Sequence, residues 1–178
     1  AVFSPDAMRV LTASRDGNAK IWSAESGRCL LTLTGHLPRV GVNSAVFSPD
    51  ATRALTASID GAAKVWSAES GQCLRTLAGH TAPVNSAVFS PDAMRVLTAS
   101  RDGNAKIWSA ESGRCLLTLT GHLPRVGVNS AVFSPDATRA LTASIDGAAK
   151  VWSAESGQCL RTLAGHTAPV NSAVFSPD

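Results

Sequence analysis

Apolar and polar positions alternate in short runs along the whole chain, and a turn signal breaks the pattern about every ten residues. "SAVFS" at 44–48 is rich in small and β-favouring residues and runs into Ser-Pro-Asp, where proline presets φ and aspartate can bond its own backbone. "RVLTAS" at 9–14 runs into Arg-Asp-Gly, a tight-hairpin signal. "AKIWS" at 19–23 ends at Ala-Glu-Ser-Gly, and "CLLTLT" at 29–34 ends at Gly-His. Apolar spacing with a helical period is absent. The pattern predicts four strands of about five or six residues, then the same four again.

The repetition is stricter than the pattern requires. Residues 1–86 and 87–172 are identical, and each half divides into a looser pair, giving units at 1–44, 45–86, 87–130 and 131–172. The units alternate in two versions. Arg15 corresponds to Ile59, Met8 to Thr52, Val10 to Ala54, Asn18 to Ala62 and Leu31 to Arg75. Neighbouring units that differ in bulk are expected to complement each other. Residues 173–178 repeat "AVFSPD", the string found at residues 1–6. A unit of about 43 residues with four strands is the size of one β-propeller blade.

The fixed-order motifs resemble the WD40 repeat. They are the Gly-His pairs at 35–36, 79–80, 121–122 and 165–166, "VFSPD", Asp-Gly before the third strand, and Trp22, Trp66, Trp108 and Trp152 at its end. One departure is that Ser23, Ser67, Ser109 and Ser153 stand where that family has the aspartate of Trp-Asp. The resemblance implies an all-β, WD40-type propeller with four four-stranded blades per chain. It also implies a buried structural hydrogen-bond network in each blade: His36 with Ser58, Asp60 and Trp66; His80 with Ser100, Asp102 and Trp108; His122 with Ser144, Asp146 and Trp152. His166 has no such set after it, and Ser14, Asp16 and Trp22 have no Gly-His before them. Closure would bring those four together, within one chain if four blades close alone or between chains; they are expected to form an inter-subunit network.

WD40 rings generally have six to eight blades, so two chains are expected to close one eight-bladed ring as a homodimer. Both copies of "AVFSPD" then want one inner-strand slot. One of them is expected to be displaced, with the C-terminal copy favoured because it carries "APVNS" ahead of it.

The remaining chemistry is sparse. Serine, histidine and aspartate recur in every unit, unlike the single asymmetric constellation of a hydrolase, and no Gly-x-Ser-x-Gly elbow accompanies them. No catalytic activity, cofactor or metal is expected. Asp6, Asp50, Asp92 and Asp136 read as turn caps, with Arg9, Arg53, Arg95 and Arg139 within reach for surface ion pairs. Cys29, Cys73, Cys115 and Cys159 fall at equivalent positions of successive units, which points to reduced thiols rather than a disulfide framework. The net charge is +3, with 16 basic residues spread evenly, so neither nucleic acid nor membrane is an expected partner. The first residue is not Met, and a preceding start or tag is expected. Two identical 86-residue halves resemble designed WD40 rings built from a two-blade repeat, whose function is self-assembly. The other reading is a natural WD40 module that binds a peptide or protein, with Arg39 and Arg125 in the long loops as its first candidates.

Overall fold

The computed structural model describes residues 1–177; the last residue of the repeated "AVFSPD", Asp178, lies outside them. Sixteen strands form four separate antiparallel sheets. The first blade holds β1 (Val2–Phe3), β2 (Arg9–Ala13), β3 (Ala19–Ser23) and β4 (Cys29–Leu33). The second holds β5 (Val42–Phe47), β6 (Arg53–Ser58), β7 (Ala62–Ser67) and β8 (Cys73–Ala78). The third holds β9 (Val84–Phe89), β10 (Arg95–Ser100), β11 (Ala105–Ser109) and β12 (Cys115–Leu119). The fourth holds β13 (Val128–Phe133), β14 (Arg139–Ser144), β15 (Ala148–Ser153) and β16 (Cys159–Ala164).

In every blade the chain meanders outward, strand pairing with the next strand in sequence. The inner strands β5, β9 and β13 lie against one another in turn. No helix is present among the described residues, so none is long and apolar enough to cross a membrane. The architecture is all-β with four four-stranded blades, as in a WD40 propeller.

Turn chemistry sets the blade outline. In the first blade Ser4 Oγ donates to Asp6 at 2.5 Å, Asp6 accepts the Met8 amide, and Ala7 stands at φ 59°. Ala51, Ala93 and Ala137 repeat that left-handed turn. Ser23, Ser67, Ser109 and Ser153 occupy the position of the missing Trp-Asp aspartate. Each hydroxyl accepts an amide three residues on, as from Ser26 to Ser23 at 3.1 Å, and so caps the Ala-Glu-Ser-Gly turn.

The core sits between blades rather than inside them. A four-stranded sheet has two faces, and an interior blade buries both against neighbours. Three apolar clusters result, one at each junction. Leu11, Ile21 and Leu33 meet Ala54 and Trp66; Leu55, Val65 and Leu77 meet Val96 and Trp108; Leu97, Ile107 and Leu119 meet Ala140 and Trp152.

The ends of the row differ. Trp66, Trp108 and Trp152 are 1% exposed, whereas Trp22 is only half-buried and carries Lys20 Nζ over its ring at 5.6 Å. Leu33, Leu77 and Leu119 are fully buried, and their equivalent Leu163 is 52% exposed.

Candidate functional site

Each junction is fastened by three contacts, repeated along the chain. The first is a polar relay. In the second blade Trp66 Nε1–H donates to Thr56 Oγ1 at 2.9 Å, His36 Nε2 lies 2.7 Å from the same oxygen, and His36 Nδ1 lies 2.8 Å from Asp60 Oδ2. His80, Thr98, Asp102 and Trp108 repeat this in the third blade. His122, Thr142, Asp146 and Trp152 repeat it in the fourth. The histidine arrives on the loop leaving the preceding blade, so each relay ties two blades together.

The hydroxyl in the relay is a threonine, which corrects the serine expected there. Trp66 pairs directly with Ala54, and Thr56 is the diagonal neighbour two residues along β6 that its indole can reach. Ser58 lies a further two residues on, at the strand end. It donates to the Gly41 carbonyl and accepts the Asp60 amide. Ser144 makes the same pair of bonds with Gly127 and Asp146, and Ser100 binds the Ala82 and Pro83 carbonyls and caps Asp102. Both positions carry a hydroxyl in every unit, and only packing distinguishes them.

Proton placement follows from the inventory of donors. The carboxylate accepts from His Nδ1–H, leaving Nε2 to accept the threonine O–H, whose oxygen accepts the indole N–H. Every group is satisfied with the imidazole neutral. Burial pushes His36, His80 and His122 below the usual histidine range, against the pull of their aspartates. Burial raises Asp60, but amide donors from Ala62 and Leu37 and the His36 ring outweigh it and hold the carboxyl below its ordinary value. No buried side-chain nitrogen or oxygen among the described residues lacks a partner. The relay thus holds loops in place; its threonine oxygen is bonded on both sides and buried. No group of three metal-ligating side chains occurs among the described residues.

The second contact is an arginine rivet, and it replaces the expected surface ion pairs. Arg9 donates from Nη2 to the Ala51 carbonyl at 2.8 Å and from Nη1 to the Ala68 carbonyl at 3.1 Å, with its guanidinium 5.3 Å from the Phe47 ring centroid. Arg95 does the same with Ala137, Ala154 and Phe133; Arg53 binds the Ala93 carbonyl over Phe89. A planar donor fork finds two carbonyls of the next blade, a better use than a screened surface aspartate. The aspartates are served locally instead. Asp136 is held down at about 2 by the Ser134 hydroxyl first, then by the Thr138 amide and hydroxyl.

The third contact is a close approach. The Gly35, Gly79 and Gly121 Cα positions sit under the next blade's tryptophan, where an added Cβ would stand 3.0 to 3.3 Å from Cη2 of Trp66, Trp108 and Trp152.

Junctions of the two kinds differ as the alternating units suggested. Leu31 packs on Gly71, and Leu117 on Gly157. At the intervening junction Arg75 lays its stem on Gly113 and donates to the Glu111 carbonyl. Gly41 lies between Arg15 and Ile59.

The four residues expected to bridge subunits are not brought together within the chain. Trp22 donates to Thr12 at 2.9 Å and Asp16 accepts the Asn18 amide, but no histidine joins them. Ser14 Oγ accepts the Asp16 amide. His166 is exposed and makes no side-chain hydrogen bond among the described residues. It lines an open depression of about 660 Å³ with Leu163, Gly165 and Val170.

Residues 1–6 and the described part of the C-terminal copy, 173–177, are both seated. Val2 and Phe3 pair with Leu11 and Val10 of β2. Residues 170–177 lie on the fourth blade without strand pairing, with the Val170 amide ahead of the copy donating to the Ser144 carbonyl and Arg139 over Phe175 at 5.7 Å. The four cysteines are free and exposed on the outermost strands. Arg39 and Arg125 are exposed at φ 62° and 60°.

Comparison with known proteins agrees with this geometry. The WD domain, G-beta repeat model matches residues 1–23, 27–67, 71–109, 113–153 and 157–178. A similar protein is human WD repeat-containing protein 86, 50% identical over 34 residues, which is 19% of this chain and 9% of that protein. The chain therefore matches only a small part of that relative's length. WD40 propellers generally serve as non-catalytic scaffolds for protein interaction. With the repeat model covering nearly every residue, and four blades in a row joined by three relays and three rivets, the chain belongs to the WD40 family.

Proposed function

We propose that this chain is a self-assembling structural scaffold, without catalytic activity, in which two copies join head to tail into one ring of eight blades. The reading includes an engineered, symmetrised origin, supported by two 86-residue halves without a difference.

The observation that carries it is the matching of the two open faces. The junction between the second and third blades serves as the template. There Arg75 reaches Glu111 over Gly113, Gly79 lies under Trp108, His80 joins Thr98 and Asp102, and Leu77 is fully buried. The fourth blade presents the first half of that set with nothing opposite: Arg161, bonded to the Leu160 carbonyl as Arg75 is to Leu74 but without a carbonyl across the junction, Gly165 with open space above it, an unengaged His166 and an exposed Leu163. The first blade presents the second half: Gly27 with open space, half-buried Trp22, Thr12 and Asp16. Head-to-tail contact supplies every missing partner twice under two-fold symmetry.

Light scattering after size exclusion tests the reading. Two chains per particle over a hundredfold range of concentration are expected. Leu163→Asp is expected to give a folded single chain, since this position is exposed on its own and fully buried at each inner junction. A single-chain mass for the unaltered protein throughout that range would falsify the proposal.

A further inference from the structure

We infer that closure exchanges a strand: residues 170–175 of each chain become the inner strand of the partner's first blade, displacing Val2 and Phe3. This rests on the ring proposed above and decides which of two identical segments builds its junctions.

The slot is already taken on one side. At inner junctions an asparagine of one blade donates to the start of the next inner strand, Asn43 to the Val84 carbonyl and Asn85 to the Val128 carbonyl, both at 2.9 Å. Asn129 donates to the Val170 carbonyl at 3.0 Å in the same way. The Val170 amide reaches Ser144 at 2.9 Å, as the Val42 amide reaches Ser14. Arg139 covers Phe175 as Arg95 covers Phe133. The contacts that the fourth blade makes to a following inner strand, through Asn129, Ser144 and Arg139 over Phe175, are thus made by its own chain. Among the described residues Arg139 finds no carbonyl of a following blade, and the outer contacts are open. A partner's blade arriving there finds its inner-strand position filled.

The displaced segment has less to lose. Val2 and Phe3 form two pairs with β2, and Phe3 is 67% exposed, against 9% for Phe47 and Phe89. β9 forms five pairs with β10, from Phe89↔Val96 to Val84↔Ser100. β2 stops at Ala13, while β6, β10 and β14 each continue to the following serine. Because residues 173–177 repeat 1–5, Val174 and Phe175 can take over the pairing with Leu11 and Val10. Val170 then reaches Ser14 in the register of Val42↔Ser58, extending β2 by the residue it lacks. The exchange adds pairs and removes the edge that 170–175 now leaves unpaired.

Hydrogen exchange on the assembled full-length protein reads the outcome directly. Amides of 170–175 are expected to be protected and those of Val2 and Phe3 to exchange as free chain. A paired test is Phe3→Ala beside Phe175→Ala. The first should leave the dimer dissociation constant within about twofold, and the second should raise it at least about tenfold, as for losing a buried aromatic. Protection of Val2–Phe3 with fast exchange at 170–175, or equal effects of the two substitutions, overturns the exchange while leaving the ring intact. A chain that never dimerises overturns both.

Discussion

The threonine hydroxyl at the centre of each relay has neighbours on both sides, and its loss strands two of them. Thr98→Val keeps the shape but leaves the Trp108 indole N–H and His80 Nε2 buried without partners. The expected cost is on the order of 2–4 kcal/mol in denaturant unfolding, against about 1 kcal/mol for Ser100→Ala, whose partners are backbone groups near the surface of the loop. Equal costs would place the essential hydroxyl at the serine after all.

Acid acts on the same relay. His36, His80 and His122 are held below their ordinary value, so the folded state favours the neutral ring. Their stabilisation is complete above the unfolded histidine value near ~6.5 and is lost as pH falls below it toward the folded values. The aspartates, also held low, add a second loss as pH falls below about 4. The urea midpoint should therefore decline between pH 7 and 5; a flat or rising midpoint would contradict a neutral imidazole.

At the scale of the blade, the arginine rivet is the contact that holds one turn to the next. Arg95→Ala removes two bonds to carbonyls of the fourth blade and the cover over Phe133, at an expected cost of about 2–3 kcal/mol. Arg95→Lys should recover only part of this, because an ammonium lacks the planar fork. Arg114→Ala, on an exposed turn, should stay within about 0.5 kcal/mol. Thermal unfolding of the three variants ranks them, and an Arg95 change as mild as the Arg114 control would remove the rivet from the account.

Strand positions were readable at this scale because alternation, Pro-Asp turns and Asp-Gly hairpins are local signals. The rivet was not. Arg9 lies three residues from Asp6 in sequence and bonds residues 42 and 59 positions away, so proximity along the chain pointed to the wrong partner.

For the molecule as a whole, the proposed ring would couple stability to concentration. A species that binds only the folded state raises its melting temperature by mass action, so the unaltered protein should melt higher as concentration rises. Leu163→Asp should melt at one temperature over the same range. Concentration independence in the unaltered protein would mean that its end faces stay apart on heating.

The amino-acid sequence by itself determined the repeat and the strand order within a blade, because each depends on local pattern and strict recurrence. That His, Asp and Trp belong to one network came from the resemblance to the WD40 repeat. Tertiary structure decided which hydroxyl stands between imidazole and indole. It also decided where the arginines go and where residues 1–6 and 173–177 come to rest. Those outcomes depend on the distance between neighbouring sheets. That spacing comes from side chains packed face to face across a junction, and no run of letters along one strand contains it.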